Sequence, residues 1–212
     1  MKTTSNVIPQ SFLIEAIHDG DCDVLFATNV TPIEIQGEDE DTEVTYEYEL
    51  YRIRIPYADN LETRIENNYD AWLNRAINTE VNLIKNEKIA EVRSACEAAI
   101  VNGIDVVTEF GNEHFSLATH DQQNLATIKM IIDGGVNEYP YHADGKQCVM
   151  YSAEDLAHII ETATYHVAYH TTYCNMLRVW IGRETSYDVV YNIKYGDDLP
   201  SDLDEAMREL VG

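Results

Sequence analysis

Positive charge is scarce in this chain. Lys and Arg number 14 against 38 Asp and Glu, a formal net charge of −24. Phosphate backbones are gripped by clustered Lys and Arg, and a polybasic membrane anchor needs the same residues. Neither nucleic acid nor membrane is therefore expected as a partner. Cysteines are few and scattered: Cys22, Cys96, Cys148 and Cys174 form no C-x-x-C pair. That excludes a disulfide framework or a zinc knuckle as the expectation and reads as four reduced thiols in a protein made in a cytoplasm. No apolar run approaches the roughly 18 residues needed to cross a bilayer. Met1 to Phe12 holds one Lys and no apolar stretch, so a secretory signal is not expected. G-x-S-x-G, G-x-G-x-x-G and P-loop patterns are all missing. What is present is enough to fold, with 45% apolar residues and almost no low-complexity sequence.

Residues 11–55 read as strands. Ser11 to Ile17 ends at the turn cluster His18-Asp19-Gly20-Asp21, followed by runs at Asp23 to Thr28 and Pro32 to Ile35. The acidic stretch Gly37 to Glu43 cannot pack and reads as a solvated loop. Val44 to Ile55 resumes as a long strand whose apolar character changes faces near Leu50, which predicts a bulge or a strand that leaves one sheet for another contact.

Asp59 with Glu62 has the spacing of a capping box. No Pro or Gly follows from Asn60 to Val101, and one unbroken helix of that length would reach about 63 Å. Its apolar stripe, including Tyr69, Trp72, Ile77, Val81 and Ile84, has helical spacing but drifts off a clean heptad. Those five residues are the candidate interface. Left wet on a lone helix, each large apolar group would cost roughly 1.5–3 kcal/mol, so a coiled coil or bundle of copies is expected. Asn74, Asn78, Asn82 and Asn86 sit four apart and read as a solvated face or as a polar seam between packed helices.

Asn102-Gly103 ends the helix. A hairpin is expected at Ile104–Phe110 and His114–Leu117, turning at Gly111-Asn112-Glu113, and a second at Tyr139–His142 and Lys146–Tyr151. Between them Asp121 caps a predicted helix from Gln122 to Ile132. Ser152 and Asp155 open a long helix from Ala153 to Ile181, a shorter one follows Thr185, and a terminal helix starts at Ser201 or Asp202.

His166, His170 and Cys174 lie at i, i+4 and i+8 on one face of the long helix, beside Tyr165, Tyr169 and Tyr173. A straight helix cannot close three ligands over two turns on one ion, so no metal and no cofactor is expected there. No catalytic residue is assigned and the protein is not expected to be an enzyme. The 14 tyrosines against 4 Phe and 2 Trp suit half-wet surfaces and interfaces.

Several segments in order resemble an uncharacterised domain family recurrent in tail and tail-fibre proteins of tailed bacteriophages. They are Lys88-Ile89-Ala90-Glu91-Val92-Arg93, Phe110-Gly111-Asn112-Glu113-His114-Phe115-Ser116-Leu117, Asp121-Gln122-Gln123-Asn124-Leu125 and Ala143 to Leu156. The likeness spans about residues 88–200. Where the family often has Trp before the Asp-Gly turn, this chain has Tyr139-Pro140-Tyr141. The resemblance implies a context rather than a site: a structural protein of the virion, in the tail, baseplate or fibre attachment.

The expectation is thus an α+β chain in three parts. A β-rich region (1–58) docks on a partner or on copies of itself, a long helix (59–102) is spacer or bundle core, and an α+β domain (103–212) packs two hairpins on helices. The expected partners are other copies of the chain, a trimer among the options, and other phage tail proteins. Alternatives are a tail-fibre assembly chaperone and an acidic DNA mimic that blocks a nucleic-acid-binding protein of the host.

Overall fold

A computed structural model describes residues 2–17, 20–36 and 42–211. The expected turn at His18-Asp19 and most of the acidic loop at 37–43 lie outside the described residues. The fold is α+β, and the chain divides into two compact units, Met1–Ile84 with Thr185–Tyr187, and Lys85–Glu184 with Asp188–Gly212.

The first unit is built on an antiparallel sheet of β1 (Lys2–Ser5), β2 (Phe12–Ala16), β3 (Asp21–Gln36) and β4 (Thr42–Pro56), in the order β1-β4-β3-β2. The two runs expected either side of residue 30 are one strand. They are joined through a bulge, where Asn29 and Val30 stand opposite Tyr48 alone. Asn29 takes a left-handed backbone (φ 53°), and its amide donates to Glu49 Oε2 at 2.9 Å. The bulge thus lies on the neighbouring strand, where the extra residue reverses which side chains of β3 point inward. β4 itself does not change face at Leu50, since Thr45, Ile53 and Ile55 are all buried. Pro32 is tolerated because β2 pairs only with Cys22 to Phe26, leaving β3 an edge strand beyond the bulge.

One face of the sheet buries Cys22, Val24, Phe26, Ile53 and Ile55 against Leu61, Ile65 and Ala76. Those last residues come from α1 (Leu61–Asn67) and α2 (Tyr69–Asn102). The helix expected to run unbroken from 59 is therefore interrupted at Asn68 (φ −144°, ψ 41°), and no side chain caps its start. The break turns Tyr69 onto the sheet, 5.7 Å and nearly edge-on to Phe26, with its hydroxyl donating to Ser11 O at 3.1 Å. On the opposite face Asp23 is buried and takes a two-pronged bond from Arg54, at 2.8 and 2.9 Å. Because β1 and β2 are opposite edges, residues 6–11 cross that face. Val7, Ile8 and Pro9 lie near Leu13, Leu25 and Leu50. The free edge of β4 is closed at Arg52, whose backbone N–H donates to Glu80 Oε1 at 3.1 Å.

The second unit packs β5 (Ile104–Thr108), β6 (Gly111–Phe115), α3 (Thr119–Asp133), β7 (Glu138–Tyr141) and β8 (Val149–Ser152) on α4 (Ala153–Arg183). It also holds most of α5 (Tyr187–Asn192) and all of α6 (Ser201–Val211). The expected hairpins are both present, but the first turns at Glu109-Phe110, two residues earlier than anticipated. Gly103 leads into it at φ 85°, and a Cβ there would sit 2.0 Å from Phe115 O, so only glycine fits. Asp121 is not the cap of α3. It is the third residue of α3, within the first turn, and accepts from the capping residue's N–H, Ala118 N, at 3.1 Å. Ser152 does cap α4, accepting from Asp155 N at 3.1 Å. The core gathers Ile104, Val106, Phe115, Leu117, Leu125, Ile128, Tyr151, Leu156 and Ile159.

Among the described residues no helix is long and apolar enough to cross a membrane.

Candidate functional site

The five candidate interface residues on α2 are not wet. Val81 and Ile84 are buried, and Ile77 is half-buried. Tyr69 and Trp72 pack on the core of the first unit, and Trp72 is flanked by the guanidinium groups of Arg64 and Arg75 at 5.6 and 5.4 Å from its ring. This burial occurs within one chain, so the stripe by itself requires no second copy. Asn74, Asn78, Asn82 and Asn86 are all exposed, which accounts for a row of modest helix formers as a solvated face.

The His and Cys stripe on α4 faces the C-terminal half of α2. His166 Nε2 lies 3.0 Å from Ala99 O, Cys96 donates to His170 O at 3.3 Å, and Cys174 donates to Val92 O at 3.8 Å. Among the described residues no three His, Cys, Asp or Glu side chains are grouped to hold a metal. Burial and the neighbouring Cys174 push the Cys96 thiol up to about 11, which keeps it protonated and a poor nucleophile at neutral pH. His170 contacts Tyr195 Oη at 2.8 Å through Nδ1. Burial, reinforced by His166, lowers its pKa from the ordinary value, so the ring is neutral at pH 7.

Beside that stripe lies a cleft of about 260 Å³ lined by Tyr169, Tyr173, Tyr195, Asp197, Asp198 and Met207, among others. Tyr173 is fixed there twice over: its hydroxyl donates to Asp197 O at 2.6 Å and accepts from Gly196 N at 2.9 Å. A larger, mostly apolar groove of about 520 Å³ runs between α3 and α4, past Leu125, Ala126, Ala163, Val167 and Ala168.

A buried polar clasp was missed by sequence reasoning. Glu113 is 3% exposed, and its carboxylate accepts from Thr108 Oγ1 at 2.6 Å, Lys146 Nζ at 2.8 Å and Tyr151 Oη at 2.9 Å. Burial pulls the carboxyl pKa upward, but the three hydrogen bonds and the Lys146 charge outweigh it and hold the group below its ordinary value. Asp144, from the same turn as Lys146, accepts from Ser116 N and Oγ at 3.2 Å each, and its own N–H donates to His114 O at 2.9 Å. The clasp thus ties one hairpin to the other. Its signal in the sequence was alternation. With the turn placed at 109–110, Glu113 falls opposite the buried Val106 and points inward. With the turn two residues later, it reads as an ordinary turn acid.

All of the clasp residues except Thr108 belong to the segments that carry the resemblance. A further one, Lys88, is buried on α2, donating to Glu91 at 2.9 Å with its ammonium 5.5 Å from the Tyr191 ring. Those segments therefore supply polar ties inside the second unit. A family model described as a domain of unknown function, DUF4376, matches residues 84–194. No curated protein and no solved structure matches the chain.

Proposed function

We propose, for a chain that belongs to the DUF4376 family of domains of unknown function, a structural role in a bacteriophage virion. The role is that of a component of the tail, baseplate or tail-fibre attachment that acts by assembling with copies of itself and with other tail proteins. The support is how the side chains are spent. In the family domain Glu113, Asp144 and Lys146 make internal ties, and the first unit carries exposed apolar surface where its chain crosses the sheet. The single observation that carries the reading is the strip at the strand crossing. Val7, Ile8 and Leu13 are 71%, 67% and 46% exposed and lie over Leu25 and Leu50. Contiguous exposed apolar surface of this kind marks interaction sites. It also moves the expected seam from the long helix to the β-rich region. The resemblance to tail and tail-fibre proteins supplies the context.

Mass spectrometry of purified virions from a phage encoding the chain is the test, with light scattering on the isolated protein beside it. The expected results are the chain in the particle and an oligomer that tolerates rising salt and dissociates with Ile8→Asp. Absence from the particle together with capture of fibre protein from infected cells would shift the assignment to an assembly chaperone. A monomer that binds basic host proteins and loses them as salt rises from about 0.05 to 0.5 M, a range over which screening tightens severalfold, would shift it to a DNA mimic.

A further inference from the structure

The cleft between the middle of α4 and the segment 195–207 has the makings of a cation site. We propose that it binds an organic cation, an alkylammonium or guanidinium group on an extended carbon chain. The inference rests on the second unit alone and does not depend on the virion reading.

Size comes first. Pockets for drug-sized molecules run from about 300 to 1,000 Å³, and this one, at about 260 Å³, suits one small head group with its stem. Wall chemistry comes second. Three tyrosines line the cleft, and the face of an aromatic ring is its negative side. Tyr169 and Tyr173 lie nearly parallel with centroids 6.4 Å apart, while Tyr195 stands at 80° to Tyr173 with centroids 5.1 Å apart. Rings in two orientations can meet a cation from two directions, and such contacts strengthen when the cation is desolvated. Leu199 and Met207 supply apolar surface for the stem.

Charge comes third. Asp197, Asp198 and Asp204 line the cleft, and among the described residues no Lys or Arg does. Arg208 pairs with Asp204 at 2.5 Å without being part of the lining, and the Asp197 carboxylate accepts from Lys194 N at 2.7 Å. Asp198 is exposed at the rim. Burial raises the Tyr173 and Tyr195 phenols and keeps them neutral, so the rings act through their faces. His170, also in the lining, is neutral at pH 7 and adds no competing charge. The two hydrogen bonds on the Tyr173 hydroxyl hold that ring in place before any ligand arrives, which lowers the ordering cost of binding.

The test uses the full chain and follows tyrosine resonances while N-acetyl-arginine amide, spermidine or the neutral isostere N-acetyl-citrulline amide is added. The expected result is saturable shifts with a cation and none with citrulline. Tyr169→Ala, at a ring that is 40% exposed and so safe for folding, should weaken binding about 5-fold or more, and Tyr169→Phe should retain it. Asp198→Asn should weaken binding about 2- to 3-fold at low salt. Binding of the arginine amide alone assigns the cation to a protein side chain, and binding of spermidine alone assigns it to a free polyamine. Equal binding of the citrulline compound, or no saturable shift with either cation at tens of millimolar, overturns the proposal. So does unchanged affinity in a correctly folded Tyr169→Ala chain.

Discussion

Lys146 meets Glu113 at 2.8 Å from thirty-three positions away in the chain, and the pair joins the turn of one hairpin to a strand of the other. The lysine is half-exposed while the glutamate side chain is almost wholly buried. The two partners therefore differ in what their loss costs.

Lys146→Met leaves a carboxylate that is almost wholly buried without its counter-charge, and an uncompensated buried charge costs about 3–5 kcal/mol. Glu113→Ala leaves a half-exposed ammonium that water can solvate and takes the acceptor from the Tyr151 hydroxyl, while Thr108 keeps Gly111 O and Phe110 N as partners. Its cost should be nearer about 1–3 kcal/mol, the range for one unsatisfied buried group. Urea unfolding followed through tyrosine fluorescence measures both, and the ranking of the two variants is the critical comparison.

Acid should act through two buried carboxylates. The hydrogen bond from Arg54 holds Asp23 below its ordinary value, and Lys146 with the two hydroxyls does the same for Glu113. A carboxyl lowered in the folded state contributes stability that is complete above its unfolded pKa. That contribution is lost as pH falls through the folded value. The midpoint of unfolding should be flat near neutrality and decline from about pH 4.5 downward. Glu113→Gln should flatten the part of that decline that belongs to the second unit.

Gly103→Ala should be among the most damaging single-methyl changes in the chain. The backbone is left-handed there, and the new Cβ would fall 2.0 Å from Phe115 O. Left-handed strain alone costs about 1–3 kcal/mol, and the collision with backbone adds to it. A melting curve should show the loss, whereas Gly145→Ala, where a Cβ would meet open space, should show only the conformational part.

Trp72 lies against the core of the first unit, so Trp72→Ala is expected to destabilise that unit by about 2–3 kcal/mol, somewhat below the cost of a fully buried aromatic. Chemical denaturation of the variant reads this directly. If light scattering instead shows lost self-association with an unchanged unfolding midpoint, the residue belongs to a seam between copies.

Local signals carried most of the architecture. The Ser152 cap, the glycines ending helices and the strand–turn patterns gave the hairpins, α4 and α6 close to their observed limits. Four features escaped. Residues 61–102 contain no Pro or Gly, yet the helix is interrupted at Asn68, where the next residue, Tyr69, packs on Phe26 of the sheet. Short strand β1 pairs with β4 forty-odd residues away, a long-range match that no local pattern encodes. Glu113 reads as a turn residue when the turn is set at 111–113, and the aromatic cleft needs Tyr195, which local periodicity does not connect to α4.

Glu80 occupies the outward N–H of Arg52 with a carboxylate, and that small contact limits growth. A bare strand edge recruits the next strand without end, the route by which identical chains become fibrils. A negative charge seated on the edge makes every incoming strand displace it and meet its repulsion. A second copy is thereby kept from pairing along this stretch of β4, and contact between copies is left to other surfaces.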